Sequence, residues 1–358
     1  MNTPLRHQPP QPGSMVHAWG LSARKLTLAR HFLPQHTLQR LRRADALPPG
    51  AVLALWGATP VPVGVPAGTP IWRLEDGFLR SVGLGADLVR PRSWVIDRSG
   101  IYFDPAAACD LETLLVEARF DEPLKARAAA LRQAIVGARL TKYNVGDADW
   151  QRPAGLPAGQ SIVLVPGQVE SDASIVCGAG RVRSNIELLR AVRADRPDAW
   201  LVYKPHPDLL AGLRSGRPID AAIRACCDEI VVDSPMATLL ERVDEVHVMT
   251  SLAGFEALLR GKPVTTHGTP FYAGWGLTRD LDLQAEAAAR RQPRQLDELV
   301  AAALILYPTY IDEHGRPATP ESVLAELRRA RERGAAGLPW WRRTVRPLLG
   351  MAAKWRGG

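Results

Sequence analysis

Apolar residues in the second half of this chain fall in short runs separated by stretches of helical spacing. Residues 161–166 (Ser-Ile-Val-Leu-Val-Pro) are apolar at nearly every position, as a strand buried on both sheet faces requires. Residues 199–204, 229–232, 245–249 and 263–266 repeat the pattern. Helical spacing fills residues 185–193, 221–227, 236–242 and 253–260. Strands alternating with helices in this way predict a parallel sheet with helices on both faces. The first half is less regular. Candidate strands cover 16–19, 51–56, 70–74 and 94–97, and candidate helices cover 23–32, 110–119 and 124–137.

Residues 150–159, with two prolines and two glycines, read as an inter-domain linker. The expected organisation is a Pro-rich disordered leader (1–14), an N-terminal Rossmann-like domain (15–155) and a C-terminal Rossmann-like domain (156–300). C-terminal helices and a basic, Trp-rich tail follow (301–358). The fold class is therefore α/β and GT-B-like, two Rossmann-like domains facing an inter-domain cleft, the arrangement of nucleotide-sugar enzymes.

Strand ends hold the candidate chemistry, since open α/β sheets bind ligands at the carboxyl ends of their strands. Residues 268–278 carry Gly268, Phe271, Tyr272, Gly274 and Trp275, a rigid aromatic loop expected to wall a ligand cleft. Lys204-Pro205-His206-Pro207 follows a strand directly, where a cation and an imidazole suit a phosphate, or where the histidine caps a turn. Ser234, Thr250 and Ser251 end successive strands, as N-caps or as phosphate contacts at helix N-termini. Glu256, one turn further, is placed to bind ribose hydroxyls. Residues 167–174 hold Gln168, Asp172 and Ser174, with Asp172 directed to the cleft or serving as an N-cap. In the first domain the adjacent carboxylates Glu75 and Asp76 suit a general acid or base if desolvated, and Arg80 offers a counter-ion.

Composition narrows the classes. A hydrophobic content of 46% with 23% charged residues is that of a globular protein, and no apolar run reaches bilayer-spanning length. The net charge of +8 calls for an anionic partner, a phosphorylated substrate, a nucleic acid or a membrane surface. The basic residues are dispersed, which disfavours nucleic acid. In residues 340–356 basic side chains flank a helical stripe that includes Trp341 and Trp355, which suits an anionic membrane surface or docking on the first domain. Cys109, Cys177, Cys226 and Cys227 lack metal-ligand spacing and read as small thiols in a reducing cytoplasm. Asp147-Ala148-Asp149 forms a DxD string outside any strand-end context. The glycine pairs at 83–85 and 178–180 complete no dinucleotide fingerprint, so neither metal nor cofactor is expected.

Several strings resemble one catalytic module of the KpsC/LipB family of capsular polysaccharide proteins. They are Glu75 to Gly85 (Glu-Asp-Gly-Phe-Leu-Arg-Ser-Val-Gly-Leu-Gly), Ile101-Tyr102-Phe103-Asp104 and Thr141-Lys142-Tyr143-Asn144. The set continues through residues 168–174, Lys204-Pro205-His206-Pro207-Asp208, the 262–278 segment and Tyr307-Pro308-Thr309-Tyr310. The resemblance implies a retaining β-Kdo glycosyltransferase that takes Kdo from CMP-β-Kdo. The implied acceptor is a (lyso)phosphatidylglycerol-linked Kdo glycolipid at the cytoplasmic face of the inner membrane. It further implies Asp172 as nucleophile, Lys204 and His206 on the CMP phosphate, and Glu75 or Asp76 on the acceptor proton. Arg80, Lys142, Arg181 and Arg183 are the candidates for the Kdo carboxylate. Family members commonly carry two modules, so a second Kdo transferase module or other capsule-assembly proteins are the implied partners. Two other classes compete: a nucleotide-sugar epimerase of GT-B fold, which would act on donor alone, and a non-catalytic capsule assembly or export factor.

Overall fold

The computed structural model describes residues 15–80, 90–142, 146, 148–210, 219 and 221–334. The leader, the tail at 340–356, residues 81–85, Tyr143, Asn144 and Asp147 lie outside the described residues.

The N-terminal half opens with β1 (Met15–Trp19), α1 (Ala23–Phe32), β2 (Thr37–Arg40), β3 (Val52–Trp56), β4 (Ile71–Asp76) and β5 (Ser93–Asp97). Helices α2 (Asp110–Glu117) and α3 (Glu122–Gly137) follow. Ser22 caps α1 through the N–H of Lys25, and Asp121 caps α3, which carries a proline in its first turn. The second half runs β6 (Ile162–Pro166), α4 (Ala173–Gly178), α5 (Asn185–Asp195), β7 (Trp200–Lys204), α6 (Pro207–Leu210), α7 (Ala221–Cys226) and β8 (Glu229–Ile230). It continues with α8 (Met236–Arg242), β9 (Glu245–Val248), α9 (Leu252–Leu259), β10 (Val264–Thr266), β11 (Arg279–Asp280), α10 (Ala285–Arg290) and α11 (Leu296–Val300).

The second sheet, ordered β11-β10-β9-β6-β7-β8, is parallel throughout, as its apolar runs predict. Strands β6 to β8 proceed in one direction and β9 to β11 in the other, so the switch point lies between β6 and β9. The first sheet is parallel across β2-β1-β3-β4, with its switch point between β1 and β3. Beyond β4 it departs from the Rossmann pattern, because β5 pairs antiparallel.

Past residue 300 an apolar π-helical segment (Ala301–Leu306) leads to β12 (Pro308–Ile311), which pairs antiparallel with β5, and then to β13 (Pro317–Ala318). The expected helix follows as α12 (Pro320–Gly334). The two strands escape the hydrophobic pattern because they are only four and two residues long. β2 escapes for a related reason: Leu38 is its one buried position.

One apolar core runs through both halves, from Phe78, Val95 and Leu131 to Leu164, Val246, Phe271 and Leu304. A buried ion pair fastens them: Glu112 of α2 receives Arg290 at 2.8 Å and Arg291 at 2.7 Å. Glu112 and Arg291 are both under a tenth exposed. Arg291 also donates to the carbonyls of Pro270 and Ala273, so its charge is shared among several acceptors rather than left unpaired.

Candidate functional site

At the switch point of the second sheet, Gln168 leaves the end of β6 and Thr250 leaves the end of β9. They exchange two hydrogen bonds: the Thr250 N–H donates to Gln168 Oε1, and Gln168 Nε2 donates to Thr250 Oγ1, each at 3.0 Å. The first bond fixes which amide atom is oxygen, and with it the direction of the remaining chain. Thr250 Oγ1 lies 3.4 Å from Ser174 Oγ, and Ser174 Oγ donates to Asp172 Oδ1 at 2.8 Å. Asp172 caps α4 by accepting the Ser174 N–H on the same oxygen. Its Oδ2 accepts no hydrogen bond among the described residues. Asn185 braces the loop from below, accepting from the Gln168 N–H and donating to the Gln168 carbonyl.

Lys204 ends β7 and is 8% exposed. Its Nζ donates to the carbonyls of Val232 and Ser234 at 3.1 and 2.6 Å. Burial pushes its pKa down to about 8, with Asp233 acting in the opposite sense. The Ser234 side chain is fully buried, and its Oγ has no partner among the described residues. His206 accepts the Asp208 N–H on Nδ1, which leaves the ring proton of a neutral imidazole on Nε2. Pro207 opens α6. Ser251 caps α9 through the Ala253 N–H.

In the first sheet Glu75 and Asp76 close β4. Burial raises the Glu75 pKa to about 7, and the neighbouring Asp76 carboxylate adds to the rise. The Asp76 N–H, Lys25 and Lys142 oppose it. Asp76 is paired with Arg80 at 2.6 Å. Gly57, at the end of β3, has φ +50° and lies beneath Glu75; a Cβ there would stand 2.8 Å from Glu75 Oε2 and 3.7 Å from the Phe103 ring. On the other side the Phe103 carbonyl lies next to Gly178, at the end of α4, where a Cβ would meet it at an ordinary 3.5 Å and would crowd Thr250 Cγ2 at 3.1 Å. Phe103 thus lies between Gly57, beside Glu75, and Gly178, at the end of the helix that Asp172 caps.

Other sequence candidates lie elsewhere. Phe271, Tyr272 and Trp275 are 5%, 0% and 0% exposed. Phe271 stacks on Phe78 with ring centroids 4.5 Å apart and meets Phe255 and Tyr102 edge-on or tilted. Trp275 Nε1 donates to the Phe271 carbonyl, and Tyr272 OH donates to the Ser251 carbonyl. The rings are therefore buried packing: Phe271 lies against Phe78 and Tyr102 of the first domain, and Tyr272 and Trp275 make their contacts within the second. Gly268 allows a bridge to Ala179, and Gly274, at φ +81°, donates its N–H to Asp280. Glu256 is buried, and its Oε1 accepts the Lys142 N–H at 2.6 Å. Burial raises its pKa to about 7. Arg181 is exposed beside Asp282, and Arg183 donates to the Gly180 carbonyl. Lys142 stands between Glu75 and Glu256 and lowers the pKa of both. Asp149 pairs with Arg242. No three His, Cys, Asp or Glu side chains converge as a metal site among the described residues. No helix among them is long and apolar enough to cross a membrane.

The strand-end rule also identifies residues that were not singled out from the sequence. Lys25, in the first turn after β1, and Trp56, at the end of β3, sit at the first sheet's switch point. Phe103 gave no such signal, since its role rests on a carbonyl and a ring edge.

Two α/β sheets, each with a switch point and joined through one apolar core, make the architecture GT-B-like. The model of the capsule polysaccharide biosynthesis protein family matches residues 63–138 and 124–310, and the chain belongs to that family. It is 46% identical over 259 residues to the capsule polysaccharide modification protein LipA of Neisseria meningitidis serogroup A, covering 72% of this chain and 35% of that protein. It is 44% identical over 280 residues to the lipopolysaccharide-processing protein LpsZ of Rhizobium meliloti, covering 76% of this chain and 62% of that one. The chain thus spans about a third of the first relative and under two thirds of the second. Among solved structures it is similar to the β-Kdo 2,7 transferase of Thermosulfurimonas dismutans KpsC. The TM-score is 0.72 and the identity 34%, covering 89% of this chain and 100% of that one. The β-Kdo 2,4 transferase of the same protein is matched about equally, with TM-score 0.74 and identity 30%, covering 87% and 97%.

Proposed function

We propose that the chain is a retaining glycosyltransferase that moves Kdo from CMP-β-Kdo to a (lyso)phosphatidylglycerol-linked Kdo acceptor during capsule assembly, at the inner face of the inner membrane. The observation that carries this reading is the hydrogen-bonded series Gln168–Thr250–Ser174–Asp172, which fixes one carboxylate oxygen and leaves the other open at a sheet switch point. Likeness to two Kdo transferases supplies the sugar.

In this scheme Asp172 Oδ2 attacks the anomeric carbon, the bond from that carbon to the phosphate oxygen breaks, and CMP departs with the electron pair. Lys204 and the Nε2–H of His206 stabilise the departing phosphate. An acceptor hydroxyl then attacks the same carbon, its proton passes to Glu75, and the Asp172 carboxylate is released. Two inversions give net retention. A Glu75 pKa near 7 suits this task, because a base is most effective when its pKa lies near the working pH.

The test is the mass of a synthetic Kdo-terminated glycolipid after incubation with CMP-Kdo. A gain of one Kdo unit supports the reading. Unchanged acceptor with intact donor counts against it, and conversion of donor without acceptor points to an epimerase or hydrolase.

A further inference from the structure

The first sheet carries an unassigned cation at its own switch point. Lys25 extends from the first turn of α1, and its Nζ lies 3.3 Å from the centre of the Trp56 ring. Trp56 ends β3, one residue before the Gly57 on which the Glu75 carboxylate rests. The ends of β1, β3 and β4 therefore bring an ammonium, an indole face and a carboxylate pair to one edge, where the strand order reverses.

The neighbouring charges are arranged unequally. Asp76 is taken by Arg80, and Glu75 accepts the Asp76 N–H. Lys25 lies within electrostatic range of Glu75, Asp76 and Arg80, yet among the described residues its Nζ forms neither an ion pair nor a hydrogen bond. Half-burial of an ammonium costs it part of its hydration. The indole face offsets part of that cost and holds the group in one place. Such a cation is preorganised for an anion that arrives from outside.

We infer that Lys25, seated on Trp56, binds the carboxylate of an acidic sugar acceptor and so sets its hydroxyl beside Glu75. This rests on the reading of the chain as a transferase to an acidic sugar. The proposed ligand combines two groups suited to this edge: a carboxylate to pair with the ammonium, and sugar hydroxyls to meet the carboxylates at the end of β4, which lie within electrostatic range of Lys25.

Binding is measured by calorimetry without donor, which separates this inference from the reaction. The probes are methyl β-Kdo glycoside, its carboxamide and glycerol phosphate, with wild type, Lys25→Met and Lys25→Arg. A charge-assisted hydrogen bond is lost, so Lys25→Met should weaken the carboxylate probe by about tenfold or more. The carboxamide should be insensitive to the change, and Lys25→Arg should recover part of the affinity. Equal affinities of wild type and Lys25→Met for the carboxylate probe, or no binding by correctly folded wild type, overturn the inference. A loss confined to glycerol phosphate also overturns it, in favour of a phosphate site. Lys25-dependent binding by a protein that transfers no Kdo would retain the site and discard the reaction. Transfer with an acceptor KM unchanged in Lys25→Met would do the reverse.

Discussion

Replacing Asp76 by Asn tests how the first sheet prepares its base. Glu75 is held at about 7 instead of its ordinary 4.5, first by burial and then by the adjacent Asp76 charge. Asp76→Asn removes that charge and also frees Arg80, which now sits 2.6 Å from Asp76. Both changes favour the ionised form of Glu75, so its pKa must fall. Opposite charges within a few ångström shift a carboxylate by ~1–3 units, and loss of one like neighbour at a partly solvated edge should give about one unit. Burial is untouched, so the value should stay above 4.5. The assay is the pH profile of kcat/KM with acceptor limiting. The rate should fall as pH drops through about 7 in the wild type, and through a value about one unit lower in the variant. An acidic limb that stays in place or moves upward would refute Glu75 as the titrating base.

Two further outcomes follow from burial. Phe271→Ala empties a position stacked on Phe78 and tilted against Phe255, and large aromatic truncations of this kind cost ~3–5 kcal/mol. Denaturant unfolding should show that loss; a change below ~1 kcal/mol would mean that the aromatic loop does not join the two sheets. Glu256 is held at about 7 by burial, so the native state binds more protons than the unfolded chain between about 4.5 and 7. Its contribution is thus favourable at low pH and is lost as pH rises through that window. The Tm of Glu256→Gln relative to wild type should climb from pH 5 to pH 8, and a pH-independent difference would contradict this.

The second sheet was legible almost residue by residue, because a strand buried on both faces leaves an unbroken apolar run. Each expected strand appears within a residue or two, and Gln168, Asp172, Ser174, Thr250 and Lys204 are at the strand ends where the pattern put them. The antiparallel addition of β12 and β13 was not legible, since pairing with a strand more than two hundred residues earlier leaves no local mark. The aromatic loop misled for a clear reason. Glycine, proline and aromatics signal a rigid apolar surface, but only the fold determines whether a ligand or another domain covers it. Glu256 lies on α9 as expected, and the hydrogen bond of its Oε1 to the Lys142 backbone, more than a hundred residues away, leaves no local mark in the sequence. Lys25 was missed because its neighbours in sequence, Arg24 and Leu26, give it no motif. The strand-end rule places it just past β1, and the approach of α1 to the end of β3 seats it on Trp56.

The central claim is that Asp172 forms a bond to the transferred sugar. The most direct measurement is peptide mass spectrometry of protein mixed with CMP-Kdo, without acceptor, and quenched in acid. One Kdo unit should be found on the peptide that contains Asp172, and it should be absent in Asp172→Ala. CMP release at the wild-type rate by Asp172→Ala, or an adduct on another residue, would contradict the account.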